Sequence, residues 1–136
     1  MFRIRRIFDD IVPANQHALE QVRAMLRSQF ELLDRRKIDR IPDTLRSPLK
    51  YGFRTILYVA EDQKSKVHGL ALLDCDDELN FCYLDYLASD KGVAGRGIGA
   101  ALYERIRNEA LSLGVVGIFF ECLSDDPKLS PDPAIL

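Results

Sequence analysis

The chain has 136 residues, of which 47% are hydrophobic and 29% charged, with a mean hydropathy of −0.11. That mixture fits one globular domain and excludes disorder, coiled coils and fibres. A net charge of −2 lacks the basic balance of a dedicated nucleic-acid binder. The longest apolar runs, such as residues 115–120, are far shorter than the roughly 18 residues of a membrane helix. The first ten residues contain no apolar h-region, so no signal peptide is expected. Charge is uneven: residues 1–60 carry 12 Lys and Arg against 7 Asp and Glu, while residues 61–90 carry 2 against 8. Arg35, Arg36, Lys37 and Arg40 alternate with Asp34 and Asp39, which reads as a solvated helix end or loop rather than a nucleic-acid patch. Cys75, Cys82 and Cys122 are odd in number and lack Cys-x-x-Cys spacing, suggesting neither a disulfide framework nor a zinc site. A reducing, cytoplasmic setting without membrane partners is the resulting expectation.

In chain order, Phe2 to Phe8 alternates well enough for a first strand. Pro13 opens an amphipathic helix whose Leu19, Val22, Met25 or Leu26, Phe30 and Leu33 recur at three and four residues. Between Asp34 and Tyr51, Pro42 and Pro48 bracket a short helical candidate inside a connection that can border a substrate groove. Arg54–Ala60 and Val67–Leu73 flank a polar turn and read as an antiparallel hairpin, followed by an acidic turn from Asp74 to Glu78. Leu79–Ala88 is a third meander strand.

Residues 91–103 follow, with glycines at 92, 95, 97 and 99 leading into a helix striped by Ile98, Leu102, Ile106, Ala110 and Leu113 and stopped by Gly114. A glycine loop at a helix N-terminus can aim successive N–H groups at one anion, with the helix dipole adding to the attraction, so a phosphate or pyrophosphate is its natural guest. The apolar run from Val115 to Leu123 then reads as a buried parallel strand, closing one βαβ unit. A Walker loop is excluded, because Ile98 and Gly99 follow Gly97 where Lys and Ser or Thr belong. A dinucleotide fingerprint is formally met by Gly95, Gly97 and Ala100 with Glu121 downstream. Only about 15 residues follow Glu121, too few for a further βαβ unit of roughly 30.

This order of elements, with V-A-G-R-G-I-G-A at its centre, resembles the GNAT superfamily of N-acetyltransferases. The family loop pattern is Gln/Arg-x-x-Gly-x-Gly/Ala, whose second half is filled by Gly97, Ile98 and Gly99. The resemblance spans residues 1 to about 123 and implies an α/β (α+β) fold with a mixed sheet, an antiparallel meander followed by one βαβ unit. It implies acetyl-CoA as cofactor, its pyrophosphate held by Ala94, Gly95, Arg96, Gly97, Ile98, Gly99 and Ala100 and its pantetheine beside Leu87, Ala88 and Ser89. Two departures stand out: Ala94 replaces the family's Gln or Arg, and the chain stops before the family's last helix and strands. The chain is therefore expected to be one domain over 1–136, with 124–136 a proline-rich tail or linker. Either an incomplete copy or a minimal natural domain accounts for it, and a homodimer or a missing C-terminal segment is the expected completion.

The implied reaction moves an acetyl group from acetyl-CoA to a primary amine of a small molecule or protein; the alternative is a non-catalytic acyl-CoA-binding or regulatory module. Alternation places Tyr83, Asp85, Leu87 and Ser89 on one strand face and Cys82, Leu84, Tyr86 and Ala88 on the other. A carboxylate inside an apolar strand makes Asp85 either a general base with a raised pKa or a structural Asp paired with an Arg. Glu121 is a second base candidate or a solvated rim carboxylate, and Tyr83 a hydroxyl donor or a core aromatic. His68 and His17 read as structural and solvated, respectively.

Overall fold

The computed structural model describes residues 2–30, 35–90 and 97–119. A single five-stranded sheet has the order β1-β2-β3-β4-β5, built from β1 (Arg3–Ile7), β2 (Arg54–Glu61), β3 (Val67–Asp76), β4 (Phe81–Ser89) and β5 (Ile118–Phe119). The first four strands pair antiparallel, and β5 pairs parallel with β4 through Cys82 opposite Ile118 and Tyr83 opposite Phe119. The helices are α1 (Pro13–Gln29), α2 (Arg35–Arg46), α3 (Pro48–Tyr51) and α4 (Ile98–Ser112). The expected meander followed by one βαβ crossover is the architecture found.

The sheet separates two apolar layers. On one side Ile7, Leu57, Val59, Leu70 and Leu72 pack against Leu19, Val22 and Leu26 of α1 and Ile38 and Ile41 of α2. On the other, Ile56, Tyr58, Ala71, Leu73 and Leu84 pack against Ile98, Leu102 and Ile106 of α4. Burial of a Leu or Ile side chain stabilises by about 1.5–3 kcal/mol, so these stripes fix where each helix docks. Polar contacts add direction: Glu109 of α4 accepts from Arg6 Nη1 at 2.9 Å and from the Tyr58 hydroxyl at 3.0 Å. Gly69 allows the closest approach, since a Cβ there would lie 2.7 Å from Ile98 Cγ2 and 3.1 Å from the Ala88 carbonyl oxygen.

Four expectations need correction. Residues 35–46 form a helix running through Pro42, whose missing amide costs one intrahelical bond while Ile38 and Ile41 are buried beneath it. The supposed acidic turn starts later, because β3 continues to Asp76 and makes Asp74 and Cys75 strand residues. Val116 is 77% exposed and β5 begins only at Ile118, so the strand predicted from Val115 starts three residues late. Finally, Cys75 and Cys82 are register partners across β3 and β4 and are joined as a disulfide. Their separation of seven residues spans a tight turn that puts them opposite each other, which counting cysteines does not reveal. The argument from cysteine usage to a reducing compartment loses its basis. No helix among the described residues is long and apolar enough to cross a membrane.

Candidate functional site

The feature that organises the site is a bulge in β4. Leu72 of β3 stands opposite Tyr86 while the next residue, Leu73, stands opposite Leu84, leaving Asp85 as the extra residue. A bulge resets strand alternation by one. Before it, Cys82 and Leu84 face α4; after it, Tyr86 and Ala88 join the α1–α2 layer. The predicted alternation therefore fails beyond Asp85: Asp85 and Tyr86 share the α1–α2 side, and Leu87, 36% exposed, turns to the other.

On the α1–α2 side Asp85 meets Asp74 of β3. Asp74 sits opposite Thr55 of β2, whose Oγ1 donates to Asp74 Oδ1 at 3.1 Å. Asp74 and Asp85 also share a side-chain hydrogen bond, so the Asp74 O–H donates to Asp85 when Asp74 is protonated. Burial, then the hydrogen bond and negative charge of Asp85, push the Asp74 pKa up to about 7. From α2, Lys37 Nζ reaches Asp85 Oδ2 at 2.5 Å, with the Asp85 side chain only 9% exposed. Burial pulls the Lys37 pKa down, but the hydrogen bond and charge of Asp85 outweigh it and the net shift is upward. The ammonium also lies 5.6 Å above the Tyr86 ring, itself edge-on to Phe30.

Asp74, Asp85, Thr55 and Lys37 border a cavity of about 260 Å³ that is also lined by Arg40 of α2, Tyr51 of α3 and Phe53. The Tyr51 hydroxyl donates to Asp43, which also accepts from Lys50 Nζ at 3.0 Å, so the aromatic wall is anchored.

At its far end β4 meets α4. Gly69 pairs with Ser89 and receives Ile98 against its bare Cα, so the end of β4 and the first turn of α4 converge. Gln29 Nε2 of α1 donates to the Ser89 carbonyl at 2.9 Å, fixing that strand end. Gly97 caps α4 in the left-handed conformation with φ 75°, and no side chain caps the helix. A Cβ at Gly97 or Gly99 would meet no heavy atom within 4 Å among the described residues. Among the described residues no side chain accepts from the first-turn N–H groups at Ile98, Gly99 and Ala100, an arrangement suited to an anion.

Of the residues singled out from sequence, Asp85, Leu87, Ala88, Ser89, Gly97, Ile98, Gly99 and Ala100 lie along β4 or at the start of α4. Tyr83 is on β4 directly opposite Asp74. Ala94, Gly95, Arg96 and Glu121 lie outside the described residues. Sequence reading missed Asp74 and Lys37, because one sits in an acidic run and the other in a basic one. The signal available for Lys37 was its spacing, one residue before Ile38 and four before Ile41. His68 is held between Asp62 Oδ2, 2.9 Å from Nε2, and Asp90 Oδ2, 3.8 Å from Nδ1, consistent with the structural role expected of it.

Comparison with solved structures defines the fold. Tetrahymena GCN5 matches with a TM-score of 0.73 and 15% identity over 90% of this chain and 71% of that one. An aminoglycoside acetyltransferase, AAC(6')-Iy in complex with a CoA-containing bisubstrate analogue, matches at 0.68 and 12% identity, covering 94% and 83%. A putative acetyl transferase from Pyrococcus furiosus matches at 0.61 and 19% identity, covering 93% and 86%. The fold is that of the GNAT acetyltransferases. No protein-family model and no curated protein sequence matches the chain.

Proposed function

We propose that this protein is an acetyl-CoA-dependent N-acyltransferase that acetylates a primary amine. One observation carries the reading: Asp74 of β3 and Asp85 of β4 present a carboxylate pair to a cavity on one side of the sheet, and β4 ends against the N-terminus of α4. The second feature fits a CoA pyrophosphate, since Gly97, Ile98, Gly99 and Ala100 offer backbone N–H groups, with Leu87, Ala88 and Ser89 alongside. Ala94, Gly95 and Arg96 complete that cradle in this proposal. Bound there, acetyl-CoA supplies an activated thioester carbonyl.

What remains for the chain is to orient the amine and take its proton. A primary amine arrives mostly as an ammonium ion and attacks only after losing a proton. Asp85 accepts that proton directly, and the hydrogen bond to Asp74 spreads the proton over the pair. An acceptor titrating near neutrality is efficient, because it is substantially ionised yet basic enough to compete for the proton, and the Asp74 carboxyl is pushed up to about 7. Lys37, ion-paired with Asp85, holds that carboxylate in position until the amine arrives. Tyr83, opposite Asp74, and Glu121 are secondary proton-transfer candidates.

Steady-state acetyl transfer by Asp85→Asn and Glu121→Gln, with acetyl-CoA affinity measured in parallel, tests the assignment. Asp85→Asn should lower kcat by about 10²–10⁴ while CoA binding persists. Unchanged turnover in Asp85→Asn removes the carboxylate pair from the reaction. CoA binding without turnover in the unmodified protein supports the alternative, a non-catalytic acyl-CoA-binding module.

A further inference from the structure

The cavity beside Asp85 says more about the acceptor than the general chemistry of amines does. Its volume of about 260 Å³ lies below the roughly 300–1,000 Å³ of sites for drug-sized ligands, so its occupant is small. Its charged lining has both signs. Asp74 and Asp85 supply one negative charge, or two once the shared proton leaves, against Lys37 and Arg40 on α2.

The two cations differ in what they already hold. Lys37 is engaged by Asp85 at 2.5 Å. Arg40 is three residues along α2, hence on the same helix face. Its Nε donates to the Arg36 carbonyl at 3.2 Å, and its guanidinium forms no ion pair among the described residues. A guanidinium at a cavity rim, with a planar fork of donors still free, is suited to a carboxylate. Tyr51 and Phe53 add an aromatic wall to the same cavity, their ring centroids 6.1 Å apart.

We propose that the cavity takes a small aminocarboxylate, an amino acid or short relative, with its ammonium at Asp85 and its carboxylate at Arg40. This assignment rests on the acyltransferase reading above and narrows it to a substrate class. A zwitterion matches the two signs of charge in the cavity lining. A polyamine or a polycationic sugar pairs one ammonium with Asp85 but sets its others against Lys37 and Arg40.

The test is calorimetric binding to the full chain with CoA present. The ligands are the proteinogenic amino acids, β-alanine and γ-aminobutyrate, then the decarboxylated amine of each binder, and spermidine. At least one aminocarboxylate should bind, with its decarboxylated amine about tenfold weaker and spermidine weaker still. Arg40→Gln, at an exposed position, should erase the preference for the carboxylate-bearing ligand while leaving CoA affinity unchanged. Arg40→Lys should restore part of it. Binding of CoA but of no aminocarboxylate overturns the assignment, as does tighter binding of spermidine or an undiminished preference in Arg40→Gln. Failure of CoA itself to bind counts instead against the acyltransferase reading, and aminocarboxylate binding measured without CoA then still decides the cavity's ligand.

Discussion

Lys37, in the first turn of a helix that its own sequence marks as solvated, reaches across to the one residue that the β4 bulge leaves unpaired, Asp85, at 2.5 Å. The ammonium holds a second carboxylate within its field as well, because Asp74 shares a hydrogen bond with Asp85. Removing the positive charge should therefore make the pair harder to ionise. In Lys37→Met the acid limb of the rate profile is expected to move to higher pH, and Lys37→Arg should return it toward the unmodified position. A limb that stays in place in both variants would separate Lys37 from the proton acceptor.

Asp74 sets a conflict between stability and function. Its carboxyl titrates near 7 in the folded chain against an ordinary value of 3.8, so the folded state holds the proton more tightly than the unfolded one. Stability contributed by this group is complete below about pH 4, declines as pH rises through 7, and then levels off. Asp74→Asn mimics the protonated form. It should raise the midpoint of thermal unfolding at pH 8, change it little at pH 4, and remove the ionisation near 7 from the rate profile. A variant less stable at pH 8 than at pH 4, relative to the unmodified chain, would contradict this.

Asp62 behaves in the opposite sense. Hydrogen bonds from His68 and from the amides of Lys66 and Lys64 hold its carboxyl down at about 2. Its contribution is present above about pH 3.8 and is lost as pH falls toward 2. Asp62→Asn should flatten that acid limb of stability, measured as unfolding midpoint against pH between 2 and 5. An acid limb identical to that of the unmodified chain would show that the carboxylate does not act as described.

Gly69 tests the link between packing and the cradle. A methyl group there would lie 2.7 Å from Ile98 Cγ2, 3.0 Å from Leu102 Cδ1 and 3.1 Å from the Ala88 carbonyl oxygen. Ile98 Cγ2 is held close to the α4 backbone and the Ala88 oxygen of β4 leaves the methyl no room to retreat, so α4 must move outward. Gly69→Ala should cost about 1–3 kcal/mol in urea unfolding and weaken CoA binding, because the first turn of α4 shifts from the end of β4. Full stability with full affinity would mean that α4 is not seated as described.

How much of this was readable in the sequence differs from element to element. Apolar periodicity marked α1 and α4, because burial of one helix face leaves a regular pattern, and two apolar runs flanking a polar turn marked the β2–β3 hairpin, whose strands are buried on both faces. The bulge at Asp85 leaves none: it depends on which β3 residue pairs with which β4 residue, a long-range choice. Asp74 was hidden by its neighbours, since a run of acidic residues reads as a turn although its first member still belongs to a strand. Pro42 concealed α2 for a similar reason, local propensity opposing burial of Ile38 and Ile41, and burial prevailed. The Cys75–Cys82 pair became visible only with the register of β3 and β4. The glycine loop carried the strongest functional signal, because Gly97 at φ 75° adopts a backbone conformation that other residues rarely take.

Cofactor binding is the claim on which the rest depends, and thermal unfolding of the chain with acetyl-CoA, CoA and NAD added separately tests it most directly. A ligand at about 100 times its Kd adds roughly 2.7 kcal/mol of stability, several degrees for a domain of this size. Acetyl-CoA and CoA should each raise the unfolding midpoint by that amount, and NAD should leave it unchanged. No shift with either CoA species, or a shift with NAD alone, would contradict the account.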